Sequence, residues 1–218
     1  MARPPVLSTG EEEPAAPRQS RSIEKRKRLL RAARQLFAEK GYEATSIQEI
    51  AAKGGAAAGA FYIYFRSKRS LLIVLMNELL LRLASLNLQP AGGGDVRDGL
   101  RKFLAQALRA DREYYGVVRA WQEAALSDAE LGAMQNAVHA WTQARVLGVF
   151  QVLQGHPNAR RGCDLPAFAR MMDRHFWSLL ARGASMRGRD FDHEVELAAE
   201  VIYRYLFREG RRRKSLAG

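Results

Sequence analysis

Residues 36–68 read LFAEKGYEATSIQEIAAKGGAAAGAFYIYFRSK, and this stretch decides the fold. Gly41 ends a helix that starts near Ile23, in which Leu29, Leu30, Ala33, Leu36 and Phe37 recur at helical spacing; glycine supplies the left-handed stop. The other face of that helix carries Lys25, Arg26, Arg28, Arg31 and Arg34. Thr45-Ser46 opens a second, short helix, because Ser46 and Glu49 fit a capping box. Ile47, Ile50 and Ala51 form its apolar stripe, and Gly54-Gly55 permits a tight turn after it. A third helix is expected over 57–64. Ser67 then caps a fourth, marked by Leu71, Leu72, Leu75, Leu79 and Leu83. A basic amphipathic helix followed by two short helices about a glycine turn is a helix-turn-helix unit. Its last helix is narrow enough for a DNA major groove, while its flanks supply phosphate contacts.

Outward from this unit the pattern stays helical. The sequence Pro90-Ala91-Gly92-Gly93-Gly94 breaks the chain, and helices are expected near 96–109, 111–126, 128–154, 166–186 and 192–209. Ser127 with Glu130 reads as a capping box for the longest of them, and Pro166 opens the next. No run of alternating β-branched residues occurs, so the fold class is all-α with about nine helices. Four segments follow: a disordered leader over 1–20 holding Pro4, Pro5, Pro14 and Pro17, a DNA-binding domain over 21–70, a helical ligand-binding and dimerisation domain over 71–209, and a basic disordered tail over 210–218.

Charge separates these segments. The 218 residues carry +12, but residues 18–70 hold 13 Lys and Arg against four Glu, a net of +9. Residues 71–207 are nearly neutral, and the last eleven add +4. A basic module joined to a neutral one points to a polyanion held at one end. With one cysteine, Cys163, no internal disulfide framework or thiolate metal cage is expected. His139, His156, His175 and His193 are scattered, without a metalloprotease, phosphate-loop or nucleophile-elbow pattern. The sequence therefore predicts no enzyme, no metal and no cofactor. Leu71–Leu88 is interrupted by Asn77, Glu78, Arg82 and Asn87, too polar for a spanning helix. No secretory signal is evident, which places the expected compartment in the cytoplasm.

Residues 24–72 resemble the DNA-binding domain of the TetR family of bacterial repressors. The segments that carry the resemblance are Leu36–Tyr42, Ala44-Thr45-Ser46-Ile47, Glu49-Ile50-Ala51, Gly59-Ala60-Phe61-Tyr62 and Tyr64–Lys68. The resemblance implies a homodimer that binds double-stranded DNA at a near-palindromic operator and leaves it when a small apolar or amphipathic effector enters the C-terminal domain. It assigns DNA contacts to Thr45, Ser46, Gln48, Tyr62, Tyr64 and Lys68, with Ala57, Ala58, Gly59, Ala60 and Ile63 on the recognition helix. The basic arm with Arg21 and Lys25 would reach a neighbouring groove. Ile47, Ile50, Phe61 and Phe65 are expected in the core. One departure stands out: the family usually places a hydroxyl, a basic residue and a threonine where this chain has Ala57, Ala58 and Ala60. Alanine offers a base edge no hydrogen bond, so specificity would rest on Gln48, the tyrosines and DNA shape, or binding would be weakly sequence-selective.

In the C-terminal domain the side chains expected to line an effector pocket are Tyr114, Trp121, Met134, His139, Trp141, Met171 and His175, aromatic and thioether groups with a few polar fixers. Packed core is the competing reading for each. Phe168, Met172, Leu179, Val195, Ile202 and Leu206 form stripes on the last two helices that would supply a dimer interface, or would close the monomer. A different class of function, a basic helical protein docked on anionic membranes, is opposed by Glu24, Glu39 and the glycine turn.

Overall fold

The computed structural model describes residues 3–8, 14, 19–86, 95–109, 112–183 and 185–208. Nine α-helices occur among them: α1 (Ser20–Lys40), α2 (Ile47–Lys53), α3 (Ala58–Phe61), α4 (Lys68–Ser85), α5 (Val96–Arg109), α6 (Tyr115–Ser127), α7 (Ala129–Gln154), α8 (Leu165–Gly183) and α9 (Gly188–Leu206). A 3-10 turn, Arg112–Tyr114, leads into α6. The described residues include no strand; one isolated antiparallel bridge joins Ala159 to Phe207. The glycine-rich break at 90–94 and the basic tail lie outside the described residues.

Helix α2 packs on both α1 and α3, and α1 lies along α6. Behind them α6 packs on α8 and α7, and α5 packs on α9. Leu29, Phe37, Ile50, Phe61, Phe65, Leu71 and Leu72 are buried where the first four helices meet; Ile47 is only half-buried. Ser46 caps α2 as read from the sequence: its hydroxyl oxygen accepts from Glu49 N, and Glu49 Oε2 accepts from Ser46 N at 2.9 Å. The long α7 is capped differently. Asp128, not Ser127, is its N-cap, accepting from the amides of Glu130 and Leu131 at 3.0 Å. Helix α3 is one turn, shorter than 57–64. Its N-cap, Ala57, supplies no side-chain oxygen, and Tyr62-Ile63-Tyr64 leave the helix as a turn that seats Phe61 and Phe65 5.5 Å apart.

The leader departs from expectation. Residues 3–8 form no regular secondary structure, yet Leu7 is only 5% exposed. The Asn77 side chain on α4 grips its backbone at both ends, Oδ1 accepting from Leu7 N and Nδ2 donating to Leu7 O, both at 2.9 Å. Asn77 shares a face with Ile73 and Leu80, an apolar strip that a leucine can seal. Proline-rich composition marked residues 1–20 as disordered, but proline also fixes an extended backbone at low entropic cost; Pro4-Pro5 precede the docked leucine.

The dimer stripe is also placed differently. Phe168, Met172, Leu179, Val195, Ile202 and Leu206 are all buried within one protomer. Phe168 stacks between Tyr205, 3.9 Å away, and Phe150 at 5.1 Å. These residues close the monomer because α8 and α9 each present their most apolar face inward, α8 to α6 and α7, α9 to α5.

Candidate nucleic-acid interface and effector cavity

The DNA-facing candidates divide by exposure. Arg21, Gln48, Ala57, Gly59, Tyr62 and Ile63 are exposed, with Tyr62 at 55% and Ile63 at 64%. Lys25, Ser46, Ala58 and Ala60 are half-buried. An added Cβ at Gly59 would meet nothing, so the outer wall of α3 is open space lined by methyl groups and a glycine. Among the cations of α1, Arg21, Lys25, Lys27 and Arg28 have no carboxylate partner among the described residues, whereas Arg31 pairs with Glu24 and Arg34 with Glu113. Lys40 and Lys53 are likewise engaged, by Glu49 and Glu39.

Three candidates serve the fold instead. Thr45 is 2% exposed and its hydroxyl donates to Gly41 O at 2.7 Å, so it shapes the turn between α1 and α2. Tyr64 is buried, with its hydroxyl 2.9 Å from Ser22 Oγ, bracing α1 against the turn after α3. Lys68 directs Nζ to the carbonyls of Tyr42 and Thr45, at 2.7 and 2.8 Å, and sits 4.2 Å from the Tyr42 ring. Desolvation there lowers the ammonium pKa. Ser46 is occupied by its cap. The hydrogen bonds from Lys40 and Ser46 hold the Glu49 carboxyl down to about 2.

The turn carrying Tyr42 is fastened to the second domain. Glu123 of α6 accepts from Tyr42 N at 2.8 Å and from Glu43 N at 3.3 Å. Gly41, at φ 85°, is favoured here because its backbone lies in the left-handed region; a Cβ would also fall 2.7 Å from Glu123 Oε2 and push that carboxylate aside. Burial, with Glu43 adding to it, pushes the Tyr42 hydroxyl up to about 12. Further along the same contact, Gly116 of α6 lies against the backbone of Ala38.

Between α4, α5, α6, α7 and α8 lies a partly open cavity of about 140 Å³, lined mainly by leucine, valine and aromatic side chains. Of the seven predicted pocket residues, Tyr114 and Trp141 line it. His139 stands behind it, its Nδ1 3.0 Å from Asp173 Oδ2. Trp121 is buried but outside the lining; Met134 and His175 are half-buried and also outside it. Met171 is 52% exposed on the outer face of α8. Sequence reading missed Asp173, which lines the cavity and is 2% exposed. Its signal was available: with Ala169, Trp177 and Leu180 it shares one arc of α8, an acid on an apolar face.

Tyr114 connects cavity and DNA-binding module. Its ring lines the cavity, and its hydroxyl accepts from Arg34 Nη1 of α1 and donates to Glu78 Oε2 of α4, both at 2.9 Å. Arg34 also pairs with Glu113, and Arg82 with the same carboxylate. Desolvation and the Glu78 charge raise the Tyr114 pKa.

Residues 29–75 match the family of bacterial regulatory proteins, tetR family. Residues 29–75 therefore carry a DNA-binding region of the TetR type. The same region is 52% identical over 54 residues to the uncharacterized HTH-type transcriptional regulator YuxN of Bacillus subtilis, covering 25% of this chain and 19% of that protein. It is 45% identical over 53 residues to the transposon Tn10 TetC protein of Escherichia coli, 24% of this chain and 27% of that one. The matched region thus spans less than a third of these relatives. Solved structures extend the likeness to the whole fold: the SmeT–triclosan complex at a TM-score of 0.64 and 21% identity, over 85% of this chain and 93% of that one. Salmonella enterica GusR gives 0.61 at 21% identity, over 84% and 96%. NalD, titled the secondary repressor of the MexAB-OprM multidrug efflux pump in Pseudomonas aeruginosa, gives 0.60 at 20%, over 87% and 100%. No helix among the described residues is long and apolar enough to cross a membrane, and no cluster of metal-ligating side chains occurs among them.

Proposed function

We propose that the protein is a cytoplasmic transcriptional repressor that binds double-stranded DNA as a homodimer and is released by a small effector in the cavity of about 140 Å³. The observation that carries this reading is the double connection of Tyr114, cavity wall on one side and partner of Arg34 and Glu78 on the other. NalD is titled a repressor and SmeT is solved with triclosan, which supports the same assignment here. Gln48, Tyr62 and Ile63 form the groove-facing surface, and Arg21, Lys25, Lys27 and Arg28 hold phosphates. The exposed apolar residues Met171 of α8 and Leu197 and Val201 of α9 take the place of the buried stripe as the dimer surface. Around them α8 exposes Arg170, Arg174 and Arg182, and α9 exposes Asp190 and Glu196 beside Arg189 and Arg204, so charges of both signs border the patch.

The methyl-lined α3 favours a narrower statement about specificity. A good bidentate contact is worth about 1–3 kcal/mol of discrimination, and Ala57, Ala58 and Ala60 supply none, so selectivity rests on Gln48, Tyr62 and DNA deformability. Selection of bound sequences from random duplexes tests the reading. Recovery of a two-fold symmetric site with modest preference at each position is expected. Enrichment of no symmetric site refutes the dimeric operator, and co-sedimentation with anionic liposomes in place of DNA binding favours the membrane-docking alternative.

A further inference from the structure

The polar groups around the cavity are unevenly available. Tyr115 donates its hydroxyl hydrogen to Leu108 O, and Thr142 donates to Val138 O at 3.1 Å while accepting from Trp177 Nε1 at 3.2 Å. Tyr114 donates to Glu78. Arg145 directs Nη2 to Leu83 O and Leu86 O, at 2.9 and 2.8 Å. The hydroxyl hydrogens of Tyr114, Tyr115 and Thr142 and the Nη2 group of Arg145 are thus directed to protein acceptors. Asp173 differs: His139 Nδ1 approaches Oδ2 at 3.0 Å, and Gln135 Nε2 lies 3.3 Å from the other nitrogen of that ring. A carboxylate has about four lone-pair sites, so it retains accepting capacity beside an apolar space.

We propose that the effector is a neutral ring compound bearing a hydrogen-bond donor, of the phenol type, with Asp173 as its acceptor and His139 as the positioning residue behind it. This rests on reading the cavity as the effector site. Burial selects neutrality: the lining holds one charge of each sign, Asp173 and Arg145, and an ion of either sign loses its hydration among leucines and phenylalanines. In its present shape the cavity holds one unsubstituted ring, because a dry apolar cavity of ~150 Å³ holds benzene and this one is about 140 Å³; a bulkier ring bearing the same donor has to displace the lining.

Calorimetric titration of the full chain with phenol, toluene, benzoate and benzylammonium tests the assignment. Phenol and toluene share shape and heavy-atom count; a wholly apolar cavity prefers toluene, because the phenol hydroxyl would lose its water without a partner. Here phenol is expected to bind at least ~10-fold tighter, a difference of about 1.4 kcal/mol, and Asp173→Asn is expected to shrink that ratio below ~3-fold. The order measured on the unmodified chain decides the point even if the variant does not fold. Toluene equal to or better than phenol, or benzoate or benzylammonium ahead of it, overturns the ligand class and leaves the cavity as effector site. Binding of none of the four overturns the effector-site reading together with this one.

Discussion

Substitution of Gly116 by alanine tests how the two domains are held together. A Cβ at this position would lie 2.5 Å from Ala38 N and 2.6 Å from both Ala38 Cα and Cβ. Carbon atoms rest at about 3.5–4.0 Å, so α6 must move off α1 by about 1 Å. The nearest atoms belong to the α1 backbone, which cannot rotate aside as a side chain would. Overpacking of this kind costs typically ~1–3 kcal/mol. For a chain of this size each kcal/mol lowers Tm by about 2–4 °C, giving an expected fall of about 2–12 °C by circular dichroism. The shift also strains the Glu123 hold on Tyr42 and Glu43, so DNA affinity in a salt-matched gel shift should fall together with stability. Adding Ala38→Gly removes the Cβ clash and leaves those with Ala38 N and Cα, so rescue should be partial. A Gly116→Ala chain that melts within 1 °C of the parent and binds DNA equally refutes the close approach of α1 and α6.

Deleting residues 2–8, or Asn77→Ala, should leave Tm nearly unchanged: burying Leu7 gains about 1.5–3 kcal/mol, and ordering six residues costs a comparable or larger amount. Hydrogen exchange of α4 around Ile73–Leu80 should nevertheless accelerate, and unchanged exchange would remove the leader from the fold. Glu49→Gln should flatten the acid limb of stability. The folded carboxyl titrates at about 2 against an ordinary 4.5, so its contribution is present above about pH 4.5 and is lost as pH falls toward 2; identical acid melts for the two proteins would contradict this. Arg28→Ala should reduce the slope of log K against log salt by about 0.9, one phosphate, on every duplex alike. Met171→Glu with Val201→Glu should yield monomers in sedimentation at micromolar concentration, and persistence of dimers would relocate the interface.

The helix-turn-helix was legible because its signals are local. A capping box, a glycine stop and i, i+4 stripes are each fixed within a few residues of sequence, and Ser46, Gly41 and Leu36–Phe37 sit where those rules put them. The direction a stripe faces is not local. The residues Phe168, Met172 and Leu179 are equally good at covering neighbouring helices of the same chain or α8 of another, and only the packing of α6, α7 and α9 around α8 decides. Thr45, Tyr64 and Lys68 show the same limit for polar groups. A hydroxyl or ammonium near a helix start suits phosphate in the sequence, but in three dimensions Gly41 O, Ser22 Oγ and the Tyr42 and Thr45 carbonyls lie closer. Leu7 was missed for the opposite reason: a short docking segment bound by one asparagine leaves almost no periodic trace.

Helix α6 is the element through which occupancy of the cavity can reach DNA. Tyr115 and Val118 near its start line the cavity, directly after Tyr114, and Glu123 holds the α1–α2 turn. From Tyr114 to Glu123 is nine residues, about 13.5 Å at 1.5 Å per residue, and a helix packed on α1, α4, α7 and α8 transmits displacement as a rod. A ligand larger than about 140 Å³ must enlarge the cavity, and the movable wall is the one made by α4 and the Tyr114 turn, tied to α1 by Arg34. Tightness of binding alone does nothing; release needs an effector that prefers the enlarged cavity, and reversing a 99:1 preference for the DNA-binding form takes about 10⁴-fold difference in affinity between the two states. A ligand that fits the present cavity without moving Tyr114 should therefore bind and leave DNA affinity unchanged, while a bulkier donor-bearing ring should both bind and release.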